Sequence, residues 1–409
     1  MPQRVVVVGA AMGGLRTVES LRRAGFAGEI VAVGEEVHRP YNRPPLSKEV
    51  LSGEVSHDAV AFPLRASVAD VQWRLGVPAE SVDLESRVVR LADSTELGYD
   101  GLVIATGLRS RRLAAPGPPA TVAAGRHVLR TLDDAIGLRA VLDEGVRVVV
   151  VGAGFIGCEV AATARGLGCE VAVTAADADA LVHPLGSMLG AELRRRHEQR
   201  GVTFHLRATV TRFLGADRVA GVELSTGERL RADVVVEAVG SHCNTEWLAA
   251  AGLDLSDGVF CDNTLRAVRA DGTPVDGVHA VGDVARFPNP RFDEVARRVE
   301  HWNMPTETAR RVGPTLAAFL AGHGYQAAAE RLFAPLPAFW SDQYDTQLQS
   351  YGAPGLAGDA PDDVRVLDGD PHGEVVVGYH RDGDLVGVIG LGMASKVNSY
   401  RPLIGRQPT

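Results

Sequence analysis

The 409 residues hold only four cysteines, Cys158, Cys169, Cys243 and Cys261. None forms C-x-x-C, and no His/Cys cluster has zinc spacing, so neither a disulfide framework nor a metal centre is expected; buried thiols in a reducing compartment are. No apolar run is long enough to span a bilayer, and with a first strand at about Arg4 there is no room for a signal peptide. The expectation is a soluble, cytoplasmic protein that does not bind membranes. Positive charge is not in excess either: the formal net charge of −9 argues against a nucleic-acid or anionic-membrane partner. The 45% apolar content and the length allow two or three domains.

What is abundant is valine followed by glycine. Arg4 to Glu35 reads RVVVVGAAMGGLRTVESLRRAGFAGEIVAVGEE. Val5 to Val8 is a strand covered on both faces. Gly9 opens a tight turn that Gly13 and Gly14 close. Leu15, Val18 and Leu21 are spaced for a helix, with Arg16, Glu19, Arg22 and Arg23 mostly on its other face. Ile30 to Val33 is the next strand, and Glu35 stands at its end. Turn N–H groups and a helix N-terminus suit a pyrophosphate, and the terminal acid suits a ribose. The middle position of G-x-G-x-x-G holds Ala11, whose methyl narrows the approach to the ligand.

A second copy runs from Arg147 to Asp177, RVVVVGAGFIGCEVAATARGLGCEVAVTAAD, with Gly152, Gly154 and Gly157 all in place. Two copies imply two dinucleotides. FAD with NAD(P)H is the economical pair, since flavin and nicotinamide exchange hydride directly. The end of the second copy departs from the NADH pattern: Ala175 and Ala176 precede Asp177, so the ribose-binding acid is displaced by two residues, and no arginine follows within Ala175 to Leu181. NADH is favoured, with NADPH kept open through His183, Arg207 or Arg212.

Between and after the copies, HRPYNRPPLSKEVLSG forms a proline-stiffened loop in which Ser47 caps a short helix and Lys48 is delivered beside the first site. Strands are expected at Val88–Leu91, Tyr99–Ile104, Val202–His205, Val219–Leu224 and Ala232–Val239, the last ending at Gly240 as the earlier one ends at Gly107. GLRSRRLAAPGPPA reads as a crossing between domains. Val275 to Arg286 is a strand running into Gly282-Asp283, whose acid suits a ribitol or ribose hydroxyl. A helix follows from about Glu300 to Leu320. From Phe333 onward, alternating strands with Asp-Gly turns indicate antiparallel hairpins.

These motifs together resemble the FAD-dependent ferredoxin reductases of the putidaredoxin reductase type, within the glutathione-reductase-like flavoproteins. The likeness rests on RPPLSK (Arg43 to Lys48), ATG (Ala105 to Gly107), LRTLDDA (Leu129 to Ala135), GAGFIGCEVAA (Gly152 to Ala162), AVGDVA (Ala280 to Ala285), EHW (Glu300 to Trp302) and FWSDQY (Phe339 to Tyr344). It implies two Rossmann-like α/β domains plus a C-terminal α+β domain: FAD domain 1–112 with 245–323, NAD(P)H domain 113–244, C-terminal domain 324–409.

It implies FAD contacts at Gly9, Ala11, Gly13, Gly14, Glu35, Lys48, Ala79, Arg130, Gly282, Asp283 and Trp302. For NAD(P)H it implies Gly152, Gly154, Phe155, Ile156, Gly157, Glu159 and Gly240; Asp177, where this chain departs from the family's glutamate, is the candidate ribose acid. Lys48 and Glu159 would act as a pair at the nicotinamide. Electrons would leave for a [2Fe–2S] ferredoxin, docked by Arg310 and Arg311, and so reach a cytochrome P450. A rubredoxin or aromatic-ring dioxygenase system is the alternative; so is a non-catalytic flavin-bearing sensor related to apoptosis-inducing factor. The cysteines that disulfide reductases and their peroxidase relatives carry near residues 41 to 50 are missing here, which excludes thiol chemistry at the flavin.

Overall fold

A computed structural model describes residues 2–114, 124–358, 360 and 362–405. The Pro116 to Pro119 part of the expected domain crossing lies outside them.

The strand Arg4–Val8 is the centre of a six-stranded sheet. It runs parallel between Glu29–Gly34 and Gly101–Ile104, with Val5 opposite both Ile30 and Gly101. Val5, Val6 and Val7 are fully buried, as β-branched residues covered on both faces should be. Gln72–Leu75 forms one edge. At the other side Pro274–Ala280 joins parallel to Gly101–Ile104, although it comes from a distant part of the chain.

The second sheet repeats the plan. Arg147–Val151 lies parallel between Glu170–Ala175 and Val234–Glu237, flanked by Thr203–Leu206 and Arg126–His127. In both units the strand turns directly into a helix, Met12–Arg23 in the first and Phe155–Gly166 in the second. The turn works only with glycine at its ends. Gly9 has φ +120°, and a Cβ there would lie 2.1 Å from the Ala105 carbonyl oxygen. A Cβ on Gly14 would lie 1.9 Å from the Gly9 carbonyl oxygen. Gly152 and Gly157 meet the same limits in the second unit. Crossovers of this kind place the ligand crevice at the carboxyl ends of the strands.

A five-stranded antiparallel sheet follows, ordered Ala338–Gln343, Thr346–Gly352, Asp384–Leu391, Val375–Arg381, Val364–Gly369. Its first strand packs on the helix Phe155–Gly166, which brings the C-terminal sheet to the mouth of the second unit. The fold is therefore α/β with a C-terminal α+β portion.

Several expected details shift. Glu19 is buried rather than solvated: its carboxylate lies 2.8 Å from Arg16 and 3.4 Å from Arg65. The late helix starts at Met304, not Glu300, because Pro305 sits in its first turn, where its missing N–H costs nothing. Ser47 is not a cap. It ends the tight turn Pro44–Ser47, and its hydroxyl donates to the Glu159 carboxylate at 2.5 Å instead of accepting from a helix N–H.

Candidate active site

The carboxyl ends of both sheets open into one cleft of about 850 Å³. It gathers Ala11, Gly13, Lys48, Gly282, Asp283 and Trp302 from the first unit with Arg130, Gly154, Phe155, Ile156, Glu159 and Gly240 from the second. The other expected residues stand apart from its walls. Gly9, Gly14, Gly152 and Gly157 shape the turns behind them. Glu35 is exposed just past the strand Glu29–Gly34, and Ala79 opens the strand Ala79–Asp83. Asp177 lies past the second unit's Glu170–Ala175 strand, 2.9 Å from His183.

Lys48 meets Glu159 at 2.8 Å, with side chains only 13% and 5% exposed. The lysine comes from the proline-stiffened loop and also donates to the Pro44 carbonyl. The glutamate comes from the first turn and a half of the Phe155–Gly166 helix. The pair thus spans the two nucleotide units. Opposite it, Arg130 reaches Asp283 at 3.0 Å. Arg130 is held by its own N–H to Asp134, the acid that also closes the Thr131 capping box of the next helix.

Aromatic rings close the cleft. His301, Phe339 and Phe155 stand edge-to-face in a row, with ring centres 4.7 and 4.9 Å apart. Trp302 packs against Trp340 and donates its indole N–H to Asn42. Burial drives the His301 imidazole down to about 4, against a smaller pull from Asp283, so it is neutral at pH 7. Its Nδ1 is buried without a partner. His301 and Phe339 were missed from the sequence, although both sit inside the quoted EHW and FWSDQY runs.

These features fit a flavin and a nicotinamide. A Cβ on Gly154 would meet no protein atom within 4 Å, so the N-terminus of the second helix faces open space of the kind a pyrophosphate fills. Ala11 takes the matching place in the first unit. Its backbone (φ −90°, ψ −158°) is close to that of Gly154 (φ −80°, ψ −174°), so alanine is unstrained there and only its methyl intrudes. Lys48 supplies a cation, and His301 an unsatisfied ring nitrogen, at the same cleft. Among the described residues no cysteine lines it; Cys158, just behind Glu159, is fully buried and its thiol is pushed up to about 12 by desolvation.

Arg310 and Arg311 separate. Arg310 is exposed and pairs with Glu307. Arg311 is bound to the backbone carbonyls of Asn263, Ala328 and Arg331, and burial lowers its pKa. Of the two, Arg310 is the one left exposed.

Residues 3–309 match the family model described as pyridine nucleotide-disulphide oxidoreductase, and residues 338–409 match the one described as reductase C-terminal. The chain belongs to the pyridine nucleotide-disulphide oxidoreductase family. It is 38% identical to the anthranilate 1,2-dioxygenase system ferredoxin–NAD(+) reductase component of Burkholderia cepacia, over 98% of this chain and 93% of that one. It is 35% identical to rhodocoxin reductase of Rhodococcus erythropolis, over 85% and 78%. Its structure overlays putidaredoxin reductase, in a covalent complex with putidaredoxin, at TM-score 0.88 and 29% identity, covering 98% and 93%. Among the described residues no helix is long and apolar enough to cross a membrane.

Proposed function

We propose that the protein is an FAD-dependent NADH:ferredoxin oxidoreductase. The observation that carries this is the Lys48–Glu159 pair, which joins two dinucleotide folds at one cleft that no cysteine lines among the described residues. FAD bound there would supply hydride acceptance from a nicotinamide and one-electron release, the chemistry an iron–sulfur acceptor needs. Residues 1–112 with 245–323 would bind FAD, 113–244 NADH, and 324–409 would cover the cleft.

In this reading Ala11, Gly13 and the helix N-terminus behind them hold the FAD pyrophosphate, with Glu35 on its ribose, Ala79 at the adenine, and Asp283, kept in place by Arg130, at the ribitol. Gly154 and the next N-terminus hold the NADH pyrophosphate, with Asp177 on its ribose and Phe155, Ile156 and Gly240 lining its path. Lys48 places a positive charge where reduction adds negative charge. Phe339, His301 and Trp302 exclude water. Arg310 orients an acidic [2Fe–2S] ferredoxin, which passes electrons on in the cytoplasm to an oxygenase. A cytochrome P450 is our first reading, and likeness to a dioxygenase-system reductase supports the second.

Purified protein should be yellow, release FAD on denaturation, and reduce cytochrome c with NADH only when a [2Fe–2S] ferredoxin is added. NADH oxidation that never passes to ferredoxin would point to a flavin-bearing sensor. Adding either a P450 or a dioxygenase component downstream then separates the two oxygenase readings.

A further inference from the structure

Glu159 is held from a third direction. Its Oε1 lies 2.6 Å from the Ser341 hydroxyl. An ionised carboxylate has no proton to give, so Ser341 donates. Its oxygen then accepts from Gln343 Nε2 at 3.1 Å, which fixes the amide's orientation. Gln343 Oε1, 2.8 Å from His197 Nε2, must accept, so that ring nitrogen carries hydrogen. The bare Nδ1 faces the Tyr344 hydroxyl at 3.4 Å, the longest link. Every donor points toward Glu159. Glu159, Ser341, Gln343 and His197 are all buried.

The register that brings this about is plain. Four residues along a helix rise ~6 Å and two along a strand ~6.6 Å, so the steps match. Phe155 meets Phe339, and Glu159, four residues on, meets Ser341, two residues on. Gln343, the next residue on that face, reaches His197 on the helix Val182–Gln199.

We propose that Ser341, Gln343 and His197 are positioning residues for the Lys48–Glu159 pair, forming a one-way hydrogen-bond chain from the C-terminal sheet that holds Glu159 in place against Lys48. Aligned hydrogen bonds polarise one another, and each adds positive potential at the carboxylate. The inference rests on the oxidoreductase reading for its kinetic effect but not for the chain itself. Glu159 is faced by Lys48, Ser47 and Cys158; His197 is faced by Arg200 and Tyr344 and its pKa is lowered by burial.

Two measurements test it. Long-range proton–nitrogen spectra of ¹⁵N-histidine-labelled holoprotein, with His197→Gln for assignment, should show His197 neutral with hydrogen on Nε2 at pH 7.5. A charged ring, or hydrogen on Nδ1, overturns the chain whatever the enzyme does. In single-turnover flavin reduction by NADH, which needs no ferredoxin, Ser341→Ala should lower the limiting rate ~10-fold, with little change in apparent NADH affinity. A limb absent from the wild-type protein should also appear in its pH profile. Ser341→Thr should restore both. An unchanged rate and profile in a Ser341→Ala protein that holds its FAD overturns the positioning role.

Discussion

Lys48 and Glu159 each sit where the other's charge is needed, 2.8 Å apart and nearly dry. Removing the lysine leaves a buried carboxylate with only the Ser47 and Ser341 hydroxyls. Lys48→Ala should therefore lose about 2 kcal/mol, less than the ~3–5 kcal/mol of a buried charge stripped of all partners. Adding Glu159→Gln should recover much of that loss in denaturant titrations. It should not recover the rate: flavin reduction by NADH should fall ~10–100-fold in both proteins while FAD content stays near wild type, because the cation matters most as the flavin gains charge. An unchanged rate would make Lys48 a loop residue that neutralises Glu159 and nothing more.

A second residue-scale consequence concerns protons. Burial holds both His301 and His279 down to about 4 in the folded protein. Unfolded, each would titrate near 6.5. Between those values the unfolded chain binds more protons, so stability is full above about 6.5 and drains away as pH falls toward 4. Each histidine contributes a loss of the order of 3 kcal/mol across that window. Denaturant midpoints at pH 7.0, 5.5 and 4.5 should fall steeply in wild type and less steeply in His279→Gln. Equal slopes would show that the buried ring admits water.

At the scale of elements, the two glycine turns separate folding from binding. Gly157→Ala would push a methyl to about 2.0 Å from the Gly152 carbonyl, which the strand–helix packing cannot absorb. Expression of folded protein should collapse. Gly154→Ala meets no protein atom, so folding and FAD content should stay intact while the NADH KM rises at least ~10-fold, since the methyl enters the space a pyrophosphate needs. Ala11 already has that methyl in the first unit. The strand end beyond the second turn sets the cofactor choice. Asp177 is tied to His183 and bonds through its carbonyl to the Arg207 N–H, so an acid and two basic residues share the corner. NADH should still win in kcat/KM, and Asp177→Asn should shrink its lead over NADPH.

Both turns, the paired helices and the closing strands were legible in the sequence because valine runs and glycine spacing are local signals. Lys48 was legible because prolines stiffen its loop. Ser47 was misread as a cap, since sequence offers the nearest backbone N–H as its partner and hides a carboxylate 112 positions away. Ser341 and His301 were hidden for a similar reason: their roles exist only once the C-terminal sheet lies on the second helix. The period-two face of FWSDQ set against the period-four face of FIGCE was the one signal that could have exposed the Ser341 contact.

Across the whole molecule, charge is arranged against its own average. The chain carries a formal net charge of −9. Yet the hollow beside Trp302, between the helices Met12–Arg23 and Met304–Leu320, is lined by Arg16, Arg23, Arg65 and Arg310 against only Glu19 and Glu307, a local excess of two positive charges. Trp302 also lines the main cleft, so an acidic protein seated on the hollow would lie next to that cleft. On a protein of negative net charge, a locally basic hollow favours the approach of such a partner there. Arg310→Glu should raise the ferredoxin KM by ~10-fold or more at low salt and flatten its dependence on ionic strength, because the steering lost is the part that salt screens. Flavin reduction by NADH should not change, as Arg310 is not among the residues lining the main cleft. If the KM and its salt slope both stay at wild-type values, the partner approaches another face, and the arginine-lined hollow serves only to neutralise the buried Glu19 carboxylate.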